Sequence, residues 1–321
     1  MHRSSLRERA APHGIAFGSG RAHAKAILFG EHAVLHSSPA LAIPVPGLEV
    51  TAHATRFADT GGISFLLATP SGPVPHPCEG LRHVGEALAD PEDDRRVEVL
   101  LRCEIPAGRG LGSSAACARA AVLALADLFR LRLDEHEVYA LVQIAENVNH
   151  GRASGVDAMT TGASVPLLFD NGAGQEVRLG FDGFFVLADS GVPGQTKDAV
   201  RLVAEAFEDR PGYRERFVGT VTELIRSSPS DSIGAESFGR SMTACHEELR
   251  ALGLSTPRLD AMAHAATSAG AAGAKLSGGG LGGCVVALAG TAELAWAVSR
   301  ALCDAGAVQT WTVPVGRFEK P

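Results

Sequence analysis

The chain has 321 residues, of which 45% are hydrophobic and 20% are charged. This balance provides enough apolar surface for a folded core and excludes a disordered chain or a fibrous repeat. The 29 basic and 36 acidic residues give a net charge of −7, which argues against nucleic acid or an anionic membrane as a partner. At about 150 residues per domain, the length predicts two domains or one large one.

The cysteines lie far apart, and no pair has the spacing of a zinc or redox motif. We interpret them as free thiols in a reducing compartment. The N-terminus is polar and Arg-rich, and no later run approaches about 18 uninterrupted apolar residues. These features predict a cytoplasmic protein without a membrane span, and they leave open whether it forms a homodimer.

In the first half, we expect residues 1–15 to form a loose tail, and short apolar runs with β character begin at Ala24 and continue to Ile105. Two helical patterns follow, from Ser113 to about Arg130 and from Asp134 to about Asn149. The second pattern opens with the acidic spacing of a capping box.

The second half mixes the two kinds of element again. Strand-like runs near 165–169 and 184–189 precede four helical patterns, and the chain ends as strand, glycine loop, strand, helix and strand. Because there is no regular strand–helix alternation, we predict an α+β fold and not a doubly wound parallel sheet. A polar, glycine-rich stretch near 175–185 places the predicted boundary between an N-terminal domain (16–180) and a C-terminal domain (181–321).

The sharpest motif is PAGRGLGSSAA, residues 106–116, between a predicted strand and an alanine-rich helix. Its alternating glycines allow the backbone to approach a ligand, and its serines stand where free N–H groups attract anions. A glycine loop with a serine N-cap is the alternative, but the pattern favours a phosphate-binding loop, although the Walker A lysine and the acidic residue of a dinucleotide fingerprint are absent. The candidate nucleotide-binding residues are Pro106, Gly108, Arg109, Gly110, Leu111, Gly112, Ser113, Ser114 and Ala115.

A second glycine cluster, KLSGGGLGGC, covers residues 275–284. It formally matches G-x-G-x-x-G, but strand-like sequence follows where a dinucleotide-binding loop needs a helix. Five glycines between two strands predict a place where another backbone or a ligand comes very close. The alternative is a flexible hairpin tip. The candidate residues of this loop are Ser277, Gly278, Gly279 and Gly280.

Charged residues gather in two further segments. Lys25 stands at the head of a predicted strand that ends at Gly30-Glu31-His32. Glu146 closes a predicted helix, and Asp157 follows it in a glycine-containing loop. Solvated charges and a simple turn are the alternatives. A helix C-terminus disfavours a carboxylate, so Glu146 is expected to have a cationic partner.

Together these segments resemble the GHMP kinase superfamily, and most of all its mevalonate kinase family. KAILFGEHAVL is similar to the first motif of that family, PAGRGLGSSAA to its phosphate loop, HGRASGVDA to its catalytic-Asp segment, and KLSGGGLGGC to its third motif. ADSGVPGQTKDAV, residues 188–200, is similar to the stretch that opens its C-terminal domain. Three departures are His23-Ala24, where many members have Pro-Gly, Ser277, where Thr is usual, and Leu281, where Gly is frequent.

The resemblance implies an N-terminal domain like domain 2 of ribosomal protein S5, a ferredoxin-like C-terminal domain, and an active site in the cleft between them. It implies transfer of the γ-phosphoryl of ATP to the 5-hydroxyl of mevalonate, with Mg²⁺. By their positions in its motifs, Asp157 and Lys25 would be catalytic. Ser114 and Glu146 would bind Mg²⁺, although either of the tandem serines fits this role. The residues that would hold the substrate are Lys25, Glu31, His32, Asp157 and Thr196.

Some alternatives remain open at this level. Lys197 and Arg152 are both candidates for the cation that the substrate carboxylate needs. A kinase for phosphomevalonate or another small alcohol is a rival within the family. A non-catalytic ligand sensor is a rival of another class, but such a protein has no need of Lys25, Glu146 and Asp157 together.

Overall fold

The computed structural model describes residues 16–151, 153–228 and 234–315, so the predicted tail and Arg152 lie outside the described residues. The strands are β1 (Ala16–Phe29), β2 (Ala40–Thr60), β3 (Ile63–Thr69), β4 (Gly72–Pro75), β5 (Arg95–Cys103), β6 (Leu167–Asp170), β7 (Ala173–Glu176), β8 (Gly183–Asp189), β9 (Gly273–Ser277), β10 (Cys284–Ala289) and β11 (Gln309–Val315). The helices are α1 (Glu79–Leu88), α2 (Ser113–Phe129), α3 (Glu135–His150), α4 (Val156–Thr160), α5 (Thr196–Asp209), α6 (Tyr213–Ser227), α7 (Ala235–Ala251), α8 (Pro257–Ser268) and α9 (Ala292–Asp304).

The chain divides into two compact units, each built from separate stretches of sequence. Unit 1 takes the chain up to Ala24, Leu48–Ile105 and Gly112–Gly162, and unit 2 takes Lys25–Gly47, Pro106–Leu111 and the chain from Ala163 onward. Because both units are discontinuous in sequence, they do not test the domain boundary predicted near 175–185. That boundary stays a prediction.

In unit 1, helices pack on a small mixed sheet. Strand β5 pairs in parallel with β3 and antiparallel with the second part of β2, and β4 pairs with β3. Helix α2 is buried on nearly every side, and α1 and α3 pack against it and against each other. Its alanines allow this close packing because they carry no bulk beyond Cβ. Helix α3 begins with the predicted capping box, in which Asp134 and Glu137 exchange side-chain and backbone hydrogen bonds.

In unit 2, the first part of β2 pairs with β6, which pairs with β7. A separate antiparallel sheet has the strand order β11-β8-β10-β9. Along the chain its elements run β8, the helices α5 to α8, β9, β10, α9 and β11, which is the split β-α-β-β-α-β arrangement of ferredoxin-like folds. Helices α7 and α8 pack on β9, and α9 packs on β8. This agrees with the α+β fold that the sequence predicts.

The first strand corrects a prediction. Strand β1 begins by Ala16 and not at Ala24, so Lys25 lies well inside the strand and not at its head. The glycines of its first part resemble a turn in the sequence, but they have a packing role. A Cβ on Gly18 would lie 2.3 Å from the carbonyl oxygen of Ala124, and one on Gly20 would lie 2.2 Å from that of Ala120, so only glycine lets the strand approach α2 this closely.

Three further elements differ from prediction. Helix α1 was not predicted, although Leu81, Val84 and Leu88 form its buried face with helical spacing. The apolar runs PALAIPV and LEVTAHATRF, each of which predicts a strand, form the single strand β2, because its prolines lie between the stretch paired with β6 and the stretch paired with β5. The Asp157 segment is the short helix α4 and not a loop. Within the described ranges, no helix has the length and apolar character needed to cross a bilayer.

Candidate active site

The phosphate-loop motif lies between a strand and a helix, as predicted. Gly108, Gly110 and Gly112 all have left-handed φ values, of 69°, 73° and 75°. Gly112 is the N-cap of α2, and no side chain among the described residues caps this helix. The serine N-cap considered as the alternative is therefore wrong. Ser113 and Ser114 form the first turn, where exposed backbone N–H groups and the helix dipole favour an anion.

The residues of this loop that belong to unit 2 are held from several directions. Gly194 N–H donates to Gly108 O at 2.8 Å, and Lys25 N–H donates to Leu111 O at 3.0 Å. The Arg109 guanidinium pairs with Asp189, Nε to Oδ1 at 2.8 Å, and donates from Nη2 to Gly191 O at 3.2 Å. Arg109 is thus engaged in fixing the loop.

Within unit 1, side-chain oxygens from α2 and α3 lie close to the ring of His150. The Ser114 hydroxyl lies 3.4 Å from Nε2 of His150, and a carboxylate oxygen of buried Glu146 lies 3.8 Å from the same nitrogen. His150 thus lies near Glu146, and the cationic partner expected for Glu146 stays a prediction. A hydroxyl and a carboxylate oxygen are ligands that suit Mg²⁺, which commonly takes one or two carboxylates and completes its shell with phosphates and water. No cluster of three metal-binding His, Cys, Asp or Glu side chains occurs in the described parts of the chain.

Asp157 is placed by a glycine and a short helix. Gly155, with φ of 97°, is the N-cap of α4, and Asp157 is half-buried in the first turn. A carboxylate there is favoured by the helix dipole. Helix α4 packs against α2 and α3, which carry Ser114 and Glu146. Lys25 is buried in unit 2, with 2% of its surface exposed.

The end of β1 is tied to β9 by a buried ion pair. Glu31 follows β1, and its Oε1 accepts a hydrogen bond from Nζ of Lys275, which also donates to Leu276 O at 2.6 Å. Both side chains of the pair are almost fully buried. Lys275 was missed as a site residue, and the signal was a single lysine in an apolar strand just before the glycine cluster.

Three predicted substrate and loop residues meet at Gly279. The His32 ring donates from Nε2 to Gly279 O at 2.8 Å. A Cβ on Gly279 would lie 3.0 Å from Oγ1 of Thr196, the first residue of α5. Burial lowers the pKa of His32, with the bond to Gly279 and the charge of Glu31 opposing this effect, so the ring is neutral at physiological pH.

The glycine cluster is a β-hairpin loop packed closely against other backbone. It joins the antiparallel strands β9 and β10, and Gly278, Gly280, Gly282 and Gly283 all have positive φ. A Cβ on Gly280 would lie 2.6 Å from Leu254 O, and one on Gly278 would lie 3.0 Å from Cα of Gly110. The predicted close approach of a backbone is confirmed, and the flexible hairpin tip is wrong.

All six cysteines are free thiols, as predicted. Cys103 and Cys117 interact in unit 1. A hydrogen bond from Cys117 lowers the pKa of Cys103 to about 7, against the opposing effect of burial. The same interaction, with burial, raises the pKa of Cys117. Cys103 is therefore the most acidic thiol among those whose pKa departs from its usual value.

The family model of the GHMP kinases N terminal domain matches residues 79–163, and that of the GHMP kinases C terminal domain matches residues 231–308. A mevalonate kinase from Pyrococcus horikoshii is 32% identical over 297 residues, covering 84% of this chain and 87% of that protein.

Two solved structures share the fold. The L. major mevalonate kinase in complex with R-mevalonate matches with a TM-score of 0.80 and 23% identity, covering 93% of this chain and 95% of that one. The Streptococcus pneumoniae phosphomevalonate kinase matches with a TM-score of 0.75 and 19% identity, covering 92% and 99%. Kinases with different substrates therefore share this fold. The sequence similarity to the Pyrococcus horikoshii mevalonate kinase extends over most of the chain. On this evidence the chain belongs to the GHMP kinase family.

Proposed function

We propose that this protein is an ATP-dependent mevalonate kinase, which transfers the γ-phosphoryl of ATP to the 5-hydroxyl of mevalonate. The observation that carries the proposal is the similarity to a curated mevalonate kinase at 32% identity over 84% of the chain. The Gly30-Glu31-His32 turn, the left-handed phosphate loop and the acidic residues of α3 and α4 agree with it. The same similarity supports a small-molecule acceptor over a macromolecular one.

The chain's own residues have distinct tasks in this reaction. The first-turn N–H groups of α2 donate to phosphate oxygens, and the ammonium of Lys25 neutralises charge on the transferred group. Asp157 orients the acceptor hydroxyl and takes its proton as the new oxygen–phosphorus bond forms and the bond to the ADP oxygen breaks. Glu31, His32 and Thr196 hold the acceptor.

Ser114 and Glu146 would hold Mg²⁺, and their oxygen ligands fit that ion. When bound, Mg²⁺ supplies positive charge to the phosphate oxygens. Mevalonate also carries a carboxylate, which requires a cation. Lys197, exposed beside Thr196 in α5, and Arg152 remain the two candidates for it.

The test is ADP release measured with mevalonate, phosphomevalonate and homoserine as acceptors. Turnover confined to mevalonate supports the proposal, and turnover confined to either of the others overturns the substrate assignment. Asp157→Asn should lower kcat by about a hundredfold or more, because it removes the proton acceptor. Asp209→Asn, at an exposed position at the end of α5, is the matched control and should stay within about twofold of the wild type. Near-normal turnover in Asp157→Asn would contradict the role of Asp157.

A further inference from the structure

The ion pair of Lys275 and Glu31 is unusual in its burial. Lys275 has 0% of its surface exposed and Glu31 has 3%. Removing two charges from water is unfavourable for each, and their mutual attraction offsets this only when the geometry is good. An apolar pair of the same size would serve the core as well or better. The charges therefore call for an explanation beyond stability.

The carboxylate of Glu31 uses only one of its oxygens. Oε1 accepts the hydrogen bond from Lys275, whereas buried Oε2 has no hydrogen-bond partner among the described residues. A buried acceptor left without a donor is destabilising, because it has lost its hydrogen bonds to water. Such an atom is expected where a ligand supplies the missing donor. Glu31 also lies next to His32, which contacts Gly279 near Thr196, so the other predicted acceptor-binding groups are close by.

Lys275 is itself held in a fixed position. The next residue, Leu276, donates its N–H to Nδ1 of His246 at 3.2 Å, and Nε2 of that ring lies 3.3 Å from Asp260. The hydroxyl of Ser277 binds both the N–H and the carbonyl of Ile27 at 3.0 Å, which fastens β9 to β1. The hydrogen bonds of Leu276 and Ser277 thus fix the strand from which the Lys275 ammonium contacts Glu31.

Three titratable side chains close to the pair are neutral. Burial raises the pKa of Cys245, on α7, to about 12. Burial also lowers the pKa of His32 and of His246, so both rings are uncharged near pH 7. The other charged groups that act on Cys245 and His246 are the carboxylates of Glu247, Glu248 and Asp260, and Lys275 supplies the positive charge in hydrogen-bond contact with Glu31.

We propose that Lys275 is a positioning residue: it holds the Glu31 side chain turned so that Oε2 accepts a hydrogen bond from a hydroxyl of the acceptor substrate. The Lys275 ammonium donates to Glu31 and to Leu276 O, so in this proposal it acts on the substrate through Glu31. This inference rests on the proposed kinase function and adds to it a residue that acts only through Glu31.

The test is a double-mutant cycle of Glu31→Gln, Lys275→Met and the double variant, with KM measured separately for mevalonate and for ATP. Loss of a hydrogen bond to a charged group is expected to raise KM for mevalonate by about tenfold or more in each single variant. If Lys275 acts through Glu31, the double variant should match Glu31→Gln within about twofold, and KM for ATP should stay unchanged. Arg300→Met, which removes an exposed cation from α9, is the control and should change neither KM.

The cycle remains decisive if Lys275→Met does not fold because it leaves Glu31 buried and unpaired. The neutral double variant removes both charges, and its comparison with Glu31→Gln then carries the result. A double variant whose KM for mevalonate lies about tenfold above that of Glu31→Gln would overturn the inference, as would a parallel rise in KM for ATP. Failure of the proposed function is seen separately, in the wild type, as absence of turnover with mevalonate.

Discussion

Two glycine-rich segments of unit 2 use the same residue for different reasons. In the hairpin loop, residues 278–283, a Cβ on Gly282 would lie 2.5 Å from Pro193 O and one on Gly280 would lie 2.6 Å from Leu254 O. In the phosphate loop, a Cβ on Gly108 would meet its nearest neighbour, a side-chain carbon of Pro193, at 3.5 Å. The first distances are impossible for a real side chain, and the last is an ordinary contact.

The difference separates glycines that the fold requires from glycines that leave room. The hairpin loop needs both a left-handed backbone and the absence of a side chain, because neighbouring backbone already fills the space. Gly108 needs the left-handed backbone, with φ of 69°, but no neighbouring backbone crowds it. A glycine of this second kind fits a loop that receives a ligand. Gly110 of the phosphate loop belongs with the hairpin glycines, because a Cβ there would lie 3.0 Å from Ser277 O, so within that loop the contrast is carried by Gly108.

The largest effect is expected for Gly282→Ala. The new Cβ would combine a strained backbone, at φ of 136°, with a clash against the carbonyl oxygens of Pro193 and Val192. Strain of about 1–3 kcal/mol and overpacking of similar size add to about 4 kcal/mol, a large part of the stability of a typical domain. We expect loss of folded protein or a strongly lowered midpoint in urea unfolding.

Gly72→Ala is the matched control for this prediction. Gly72 has a comparable φ of 111°, and a Cβ there meets nothing within 4 Å. Only the backbone strain remains, so the expected loss of stability is about 1–2 kcal/mol. Equal losses at Gly72 and Gly282 would show that strain alone matters, and the distinction between the two loops would then fail.

A smaller effect is expected for Arg109→Ala in the phosphate loop. The Arg109 side chain joins this loop to Asp189 and Gly191, so its removal frees the loop and leaves the Asp189 carboxylate without its guanidinium. We expect a loss of about 2 kcal/mol in stability, because the pair is mostly buried. KM for ATP should rise about tenfold, while KM for mevalonate stays within about twofold.

Arg102→Ala removes an exposed cation from β5 and serves as the control, with no expected change in either KM. A variant of Arg109 that lost stability but bound ATP normally would contradict the role of this side chain in shaping the loop. It would place Arg109 with the hairpin glycines, as a packing residue.

Much of this arrangement could be predicted from sequence because its signals are local. The capping box of α3, the glycine run on a strand and the serines at a helix start each depend on neighbours a few residues away. Together with helical periodicity, these signals predicted most helices and the place of the phosphate loop before α2, and the lack of strand–helix alternation predicted the α+β fold. Helix α1 could also have been predicted, since its buried residues have helical spacing.

The rest depends on contacts between distant parts of the chain. Glu31 and Lys275 are 244 positions apart, and no local pattern links them. The start of β1 was hidden because Gly18 and Gly20, which permit packing on α2, look like turn residues in isolation. Nor does a glycine run by itself reveal whether backbone or ligand fills the space beside it, and this is the distinction that the two loops make visible.

The smallest effect concerns the hydrogen bond between His32 and the hairpin loop. Burial lowers the pKa of His32 below its usual value of 6.5, and its ring donates to Gly279 O. The unfolded chain takes up a proton on this ring as pH falls through about 6.5, before the folded chain does, so stability falls below that pH. The contribution of His32 to this fall ends once pH passes below the lowered pKa of the folded state.

His32→Gln should therefore flatten part of the decline in urea-unfolding free energy between pH 7.5 and pH 5, and the remainder should persist because burial also lowers the pKa of His246. His53→Gln, at an exposed position of β2, should leave the decline as it is in the wild type. An unchanged decline in His32→Gln would mean that this ring is protonated as readily in the folded chain as in the unfolded one, and that the hairpin loop does not depend on its neutrality.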